Sequence, residues 1–303
     1  MRLYDAFLHL FFGNRDPGDF PFRFAAEVTN HCNLSCTMCP RETSGRGYGH
    51  MGFDLFASLA RQAADRDMLF YPQGMGESLL HPRYVEMLQL IHDVGVRYTI
   101  VITNGTHLDE DRCRALLDAR IPFVIVSLDG ADRQVYEEIR VRADYETVVG
   151  NTKRLLRMRE QRGSEHPVLV LSLVGFPGVK ASMDDFEALW KPLLRESDEI
   201  FTCSPVSWAG SVTWLAPGSV PTDEEIAGRP PCRMIYKTLT VYYDGRTTPC
   251  PYDHACRLEV GDANETPVEE IWHGAPLERL RRLHEEGRSG EIDLCRTCPD
   301  HIP

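Results

Sequence analysis

Six apolar, β-rich segments recur near residues 24–29, 68–73, 98–103, 122–128, 168–174 and 199–203. They are separated by stretches of helical periodicity near 53–66, 82–94, 109–119, 131–139, 144–162 and 182–196. Strand and helix in alternation predict parallel βαβ units and an α/β fold. Six units fall two short of a full eight-stranded barrel. The chain has 303 residues, 43% of them hydrophobic. That suffices for one barrel-sized domain with a small appendix and a sizeable core.

Past residue 210 the pattern changes. Ala216-Pro-Gly-Ser-Val-Pro-Thr-Asp-Glu-Glu225 through Arg229-Pro-Pro231 is rich in proline and acidic residues, as at a domain boundary. Lys237–Tyr243, Asp244-Gly245 and Arg246–Cys250 predict a hairpin closed by an Asp-Gly turn, followed by a helical stretch near 267–286 and a final Cys295-Arg-Thr-Cys298. The expected organisation is a lead-in over 1–20, a barrel over 21–210, a linker over 211–231 and a metal-binding unit over 232–303.

The chain contains ten cysteines. Its first residues, Met1 to Gly13, are amphipathic, carry Asp5 and His9 and lack a small-residue cleavage site, and no apolar run is long enough to span a bilayer. A cytoplasmic, membrane-free protein with reduced thiols is therefore expected. Clustered cysteines in that setting point to metal binding or catalysis. The net charge of −12 argues against nucleic acid as a partner. It suits a polycationic substrate or serves solubility alone.

The thiols fall into two sets. Cys32-x3-Cys36-x2-Cys39 directly follows the first β segment. Three thiolates on one short loop can hold three irons of a cubane and leave the fourth open to another ligand, whereas a zinc site is the plainer alternative. Cys232, Cys250, Cys295 and Cys298 form a closed set of four, suited to a cluster or to structural zinc. Three further motifs fall at strand ends, where barrels bind ligands. These are Gln73-Gly74-Met-Gly76-Glu77, Thr103-Asn104-Gly105 and Ser127-Leu-Asp129-Gly130. The loop Ser44-Gly-Arg-Gly-Tyr-Gly-His-Met-Gly52 either covers the first thiol set or is a flexible linker. Of the three remaining cysteines, Cys113 is expected in a helical core and Cys203 at the barrel mouth or in the core. Cys256 is either a cluster ligand that displaces one of the four or a free thiol facing substrate.

Together these features resemble the radical S-adenosylmethionine (SAM) superfamily with a C-terminal SPASM/twitch-type extension. The resemblance implies a partial (β/α)6 barrel followed by a small auxiliary iron–sulfur domain. It implies two [4Fe–4S] clusters, one on Cys32, Cys36 and Cys39 and one on Cys232, Cys250, Cys295 and Cys298. It further implies that SAM chelates the open iron of the first cluster and is cleaved to a 5′-deoxyadenosyl radical by an electron supplied through a donor such as flavodoxin or ferredoxin. Gly74, Gly76, Glu77, Asn104 and Ser127 are the implied SAM contacts. Met75 departs from the first glycine of the family's usual pair, and Met38 stands where an aromatic is usual.

Among members with one auxiliary cluster, the chain resembles two kinds that act on aminoglycosides or their precursors. One is the neomycin C epimerase kind, which inverts a sugar carbon. The other is a dehydrogenase kind that oxidises a carbinol to a ketone and needs no hydrogen donor. The spare thiol of Cys256 favours epimerisation, with Cys256 returning hydrogen to the opposite face and the auxiliary cluster helping to reduce the sulfur radical. An aminosugar bearing several ammonium groups is the expected substrate. A peptide-modifying maturase is a further reading, but such enzymes commonly carry a recognition domain ahead of the barrel, where about twenty residues stand here. A metal-stabilised binding module accounts for the four C-terminal thiols and leaves the open three-cysteine site without a purpose.

Overall fold

The computed structural model describes residues 18–215 and 221–303. Most of the lead-in and residues 216–220 of the linker lie outside these described residues. Six strands follow in order across one sheet: β1 (Arg23–Ala26), β2 (Leu69–Tyr71), β3 (Tyr98–Thr103), β4 (Phe123–Ser127), β5 (Val168–Val174) and β6 (Glu199–Cys203). All neighbouring pairs among them are parallel. The crossovers carry α1 (Phe53–Asp65), α2 (Tyr84–Asp93), α3 (Glu110–Asp118), α4 (Arg133–Ile139), α5 (Tyr145–Gln161), α6 (Pro177–Ala181) and α7 (Met183–Trp190). This is the expected partial (β/α)6 barrel.

Strand alternation assigns two faces. Phe24, Phe70, Val101, Val124, Val126, Leu169 and Leu171 are buried against the helices. Leu69, Ile100 and Phe123 turn inward with Tyr71, Ile102 and Ile125. On α1 the buried residues Phe56, Leu59, Ala60 and Ala63 share one stripe, the i, i+3, i+4, i+7 spacing of an amphipathic helix. Burying Phe56 and Leu59 contributes roughly 1.5–3 kcal/mol each. Asp109, Asp132 and Asp144 cap α3, α4 and α5, accepting from the amides of Arg112, Val135 and Thr147 at 2.9, 3.0 and 2.8 Å. The caps at Asp109 and Asp132 fix where the loops after β3 and β4 stop, and Asp144 fixes the start of the second helix of its crossover.

The first β segment is shorter than the sequence suggests: Thr29 forms only an isolated bridge with His50. The last crossover stretch ends its α-helix at Trp190 and continues as a 3-10 turn over Lys191–Leu193. The described part of the linker holds a short helix, α8 (Asp223–Ala227), closed by a capping box between Thr222 and Glu225. The expected helix near 267–286 is two helices, α9 (Val268–Trp272) and α10 (Ala275–Glu285), because Gly274 and Pro276 interrupt it.

Beyond residue 231 the chain adds β7 (Thr238–Val241), β8 (Arg246–Thr248) and β9 (Gly261–Asp262). The expected hairpin joins β7 to β8, with Gly245 of the Asp-Gly turn at φ +97°. A side chain there would also run into Asn264 and Asp262. β7 further pairs parallel to β1, from Arg23↔Thr238 to Ala26↔Val241, so a single sheet runs β6-β5-β4-β3-β2-β1-β7-β8-β9. The auxiliary segment thereby occupies the edge that a closed barrel would use to join its first and last strands.

Candidate active site

The loop of Cys32, Cys36 and Cys39 leaves the carboxyl end of β1 and is held from several sides. The amides of Ser35 and Thr37 donate to the carbonyls of Val141 and Ile139 at 3.1 and 3.0 Å. Buried Arg41 donates to the Leu34 carbonyl at 3.1 Å, and the Trp208 indole N–H donates to the Met38 carbonyl at 3.0 Å. The three thiols act on one another electrostatically. Burial pushes the Cys32 thiol up and Cys39 up to about 11. As thiolates they therefore call for a compensating positive charge. Donors already point at them, among them the Leu34 amide at 3.5 Å from Cys32 Sγ and the Arg140 guanidinium at 3.8 Å from Cys36 Sγ. Arg140 is itself oriented by fully buried Asp129 at 2.6 Å. Three converging thiols free of disulfides are the donor chemistry of an open iron–sulfur site.

The motifs at the next two strand ends pack onto this loop. A Cβ on Gly76 would come within 2.4 Å of the Thr29 carbonyl oxygen and 2.6 Å of that of His31. The Glu77 amide donates to His31 O at 2.8 Å. A Cβ on Gly74 would meet the Glu27 side chain at 2.4 Å. The Glu77 carboxylate, expected to face SAM, accepts from the Asn104 amide at 2.6 Å, the Thr103 hydroxyl at 2.8 Å and the Leu79 amide at 3.2 Å. It is 3% exposed, so its observed work is to brace the two loops together. The Asn104 side chain donates to Asn33 Oδ1 at 3.1 Å and reaches Cys32 Sγ at 3.9 Å. Ser127 ends β4, half-buried and in register with Ser172. A hollow of about 1250 Å³ opens at the opposite end of the barrel around Tyr98, Phe123 and Val168 and contains none of these residues.

Cys232, Cys250, Cys295 and Cys298 line a second space, enclosed with Met234, Ile235, Leu258 and Leu294. Burial and the other three thiols push Cys250 far up, and Cys298 is pushed up to about 12. Among the described residues no three His, Cys, Asp or Glu side chains are gathered tightly enough to hold one metal ion. Both thiol sets offer the thiolates of an iron–sulfur cluster. His284, which sequence reasoning passed over, lies between two members of the closed set. Its Nδ1 faces the Cys232 amide at 3.4 Å and its Nε2 faces Cys295 Sγ at 3.5 Å. Burial lowers its pKa to about 4, so the ring is neutral. The only sequence signal was its place on the buried face of α10, after Leu277 and Arg281.

After Cys250 the chain turns back over the inner face of β1 and β7. Cys250, Pro251, Asp253 and His254 share a cavity of about 80 Å³ with Arg23, Ala25, Glu27 and Tyr242. Cys256 ends this run outside that lining, 8% exposed, with φ +57°, a backbone state costly for a residue with a Cβ. Its charged neighbours are Arg246, Asp253, Glu259 and Asp244, and burial pushes its thiol up to about 12. The thiols acting on Cys250 are Cys295, Cys232 and Cys298. Cys113 is a core residue whose thiol donates to the Leu108 carbonyl at 3.5 Å. Cys203 ends β6 half-buried, its thiol donating to the Leu173 carbonyl at 3.4 Å.

Among the described residues no helix is long and apolar enough to cross a membrane. Comparison with known proteins fits this arrangement. Residues 26–189 match the radical SAM superfamily, and residues 232–299 match SPASM, an iron–sulfur cluster-binding domain. The chain is 25% identical over 288 residues to the S-adenosyl-L-methionine-dependent 2-deoxy-scyllo-inosamine dehydrogenase of Niallia circulans, covering 90% of each protein. It is 25% identical over 264 residues to the tungsten-containing aldehyde ferredoxin oxidoreductase cofactor-modifying protein of Pyrococcus furiosus, covering 85% of this chain and 70% of that protein. In fold it is similar to BtrN in complex with AdoMet and 2-DOIA, with a TM-score of 0.61, 20% identity and coverage of 92% and 93%. It is also similar to Streptococcus suis SuiB bound to precursor peptide SuiA, with a TM-score of 0.67, 14% identity and coverage of 93% and 72%. The chain belongs to the radical SAM superfamily, carries a SPASM domain, and has SAM and [4Fe–4S] clusters as its cofactors.

Proposed function

We propose that this enzyme inverts a sugar carbon of an aminoglycoside, with Cys256 as the hydrogen donor. The observation that carries the reading is the placement of Cys256. It is a buried thiol apart from the four that enclose the auxiliary space, beside the β7–β8 turn at the strand end where the SAM-loop motifs also lie.

Cys32, Cys36 and Cys39 are the residues that fit the open cluster, and Cys232, Cys250, Cys295 and Cys298 fit the auxiliary one. Gly74, Gly76, Asn104 and Ser127 are the proposed SAM-facing positions, with Glu77 fixing the loop that presents them. When bound, SAM and the open cluster supply abstraction of one hydrogen atom from a substrate C–H bond. Cys256 then gives its hydrogen atom to the opposite face of that carbon: the S–H bond breaks and a new C–H bond forms. The sulfur radical left on Cys256 takes one electron from an external flavodoxin- or ferredoxin-type donor and one proton from solvent. The raised thiol pKa keeps Cys256 in the S–H form that this transfer requires. The acidic chain, at −12, favours a substrate bearing ammonium groups. The division at residues 210, 231 and 232 remains the proposed boundary between barrel, linker and auxiliary unit.

A second reading, oxidation of an aminocyclitol carbinol to a ketone, draws support from the dehydrogenase that matches over 90% of both chains. Anaerobic turnover of candidate aminoglycosides with product analysis separates the two. An isomer of unchanged mass supports inversion. A product lighter by two hydrogens supports oxidation and removes the epimerase reading.

A further inference from the structure

The loop Ser44–Gly52 is not a loose cover. Arg46 at its centre is almost wholly desolvated, its side chain 3% exposed, and it is held by three elements at once. Its two terminal nitrogens grip fully buried Glu27 at 2.6 and 2.8 Å. Its Nε donates to the carbonyl of His254 at 2.9 Å, and its guanidinium lies 4.1 Å from the centre of the Tyr242 ring. Glu27 Oε2 also accepts from the amide of Met75 at 3.0 Å. One planar cation thus joins the end of β1, the Gly74–Glu77 loop and the stretch that leads to Cys256. The flanks reinforce it: Tyr243 donates to Gly47 O at 2.8 Å, and a Cβ on Gly49 would fall 2.2 Å from the Tyr243 ring.

We propose that Arg46 is a positioning residue that fixes the Pro251–Cys256 loop in register with the Gly74–Glu77 loop, so that hydrogen removal and hydrogen return act on the same substrate carbon. The proposal rests on the epimerase reading for the identity of the second step. It rests on the geometry alone for the coupling of the two loops. A guanidinium can serve two acceptors in one plane while stacking on an aromatic ring, and an ammonium cannot.

The test uses the reconstituted holoenzyme as wild type, Arg46→Gln, Arg46→Lys and the double variant Glu27→Gln/Arg46→Gln. The double variant leaves no unpaired buried charge and keeps the comparison valid where Arg46→Gln alone fails to fold. Two quantities are read at matched iron content: amide hydrogen exchange across residues 251–256, and inverted product formed per SAM cleaved. In the glutamine variants, exchange is expected to quicken at least about tenfold and product per SAM to fall at least about tenfold, with SAM cleavage itself within about threefold of wild type. Lysine should fall between. Unchanged exchange and unchanged product per SAM in the double variant would overturn the proposal. If wild type yields a ketone instead of an isomer, the epimerase reading fails, and the exchange measurement still decides the role of Arg46.

Discussion

Cys250 and Cys256 stand at opposite ends of strand β7. Pro249, just before Cys250, accepts a hydrogen bond from the Thr238 hydroxyl at the strand's start, at 2.5 Å, whereas Cys256 lies with Arg246 and Asp244 beside the turn at its finish. Because β7 runs parallel to β1, the finish is the end from which the Cys32–Cys39 loop emerges. Five residues of chain therefore lie between a member of the closed thiol set and a thiol whose charged neighbours include Arg246 and Asp244, at the other end of the strand.

This separation makes the two cysteines distinguishable by metal content. Cys256→Ala should retain about eight irons per chain and cleave SAM, yet form no inverted product. Cys250→Ala should lose the auxiliary cluster, leaving about four irons. Iron and sulfide analysis with quantified 5′-deoxyadenosine checks both. Loss of iron in Cys256→Ala would make that residue a ligand.

Gly76 has no room for a side chain, since its Cβ would meet the backbone of Thr29 and His31. Gly76→Ala must push the Gly74–Glu77 loop away from the cysteine loop at a cost of about 1–3 kcal/mol. SAM affinity should drop about tenfold to a hundredfold. Anaerobic titration of SAM into the reconstituted variant measures it.

Glu77 satisfies three buried donors. Glu77→Ala should lower folding stability by about 3 kcal/mol or more, because each orphaned donor costs about 1–3 kcal/mol. Glu77→Gln, which keeps an acceptor in place, should cost less than half of that. Urea midpoints of the holo forms give the comparison.

The six βα units were legible because each strand is a short apolar run and the longer helices between them carry a buried stripe, and local patterns of that kind are written in neighbouring residues. Asp-Gly at 244–245 foretold the hairpin for the same reason. The pairing of β1 with β7 was not legible, since Arg23 and Thr238 carry no mark of one another across the length of the chain. Nor was the grip of Ile139 and Val141 on the cysteine loop, or that of Trp208 on Met38, because these use backbone carbonyls that every residue possesses. The bracing role of Glu77 was not legible, because it depends on Thr103 and Asn104 from another strand end.

The pH behaviour of hydrogen return follows from the surroundings of Cys256. A free thiol loses its proton near 8.5, whereas burial holds Cys256 up to about 12. The protonated form, which carries the transferable hydrogen, is thus kept as pH rises. Inverted product per SAM cleaved should stay level from about pH 6 to about pH 9. A fall beginning near 8 would show the thiol ionising as though exposed.

In the proposed reaction the hydrogen returned to substrate comes from a solvent-exchangeable thiol on Cys256. Anaerobic turnover in deuterated water with mass and NMR analysis of the product tests it most directly. One deuterium is expected at the inverted carbon with wild type, and no inverted product with Cys256→Ala. An inverted product free of deuterium, or one still formed by Cys256→Ala, would contradict it.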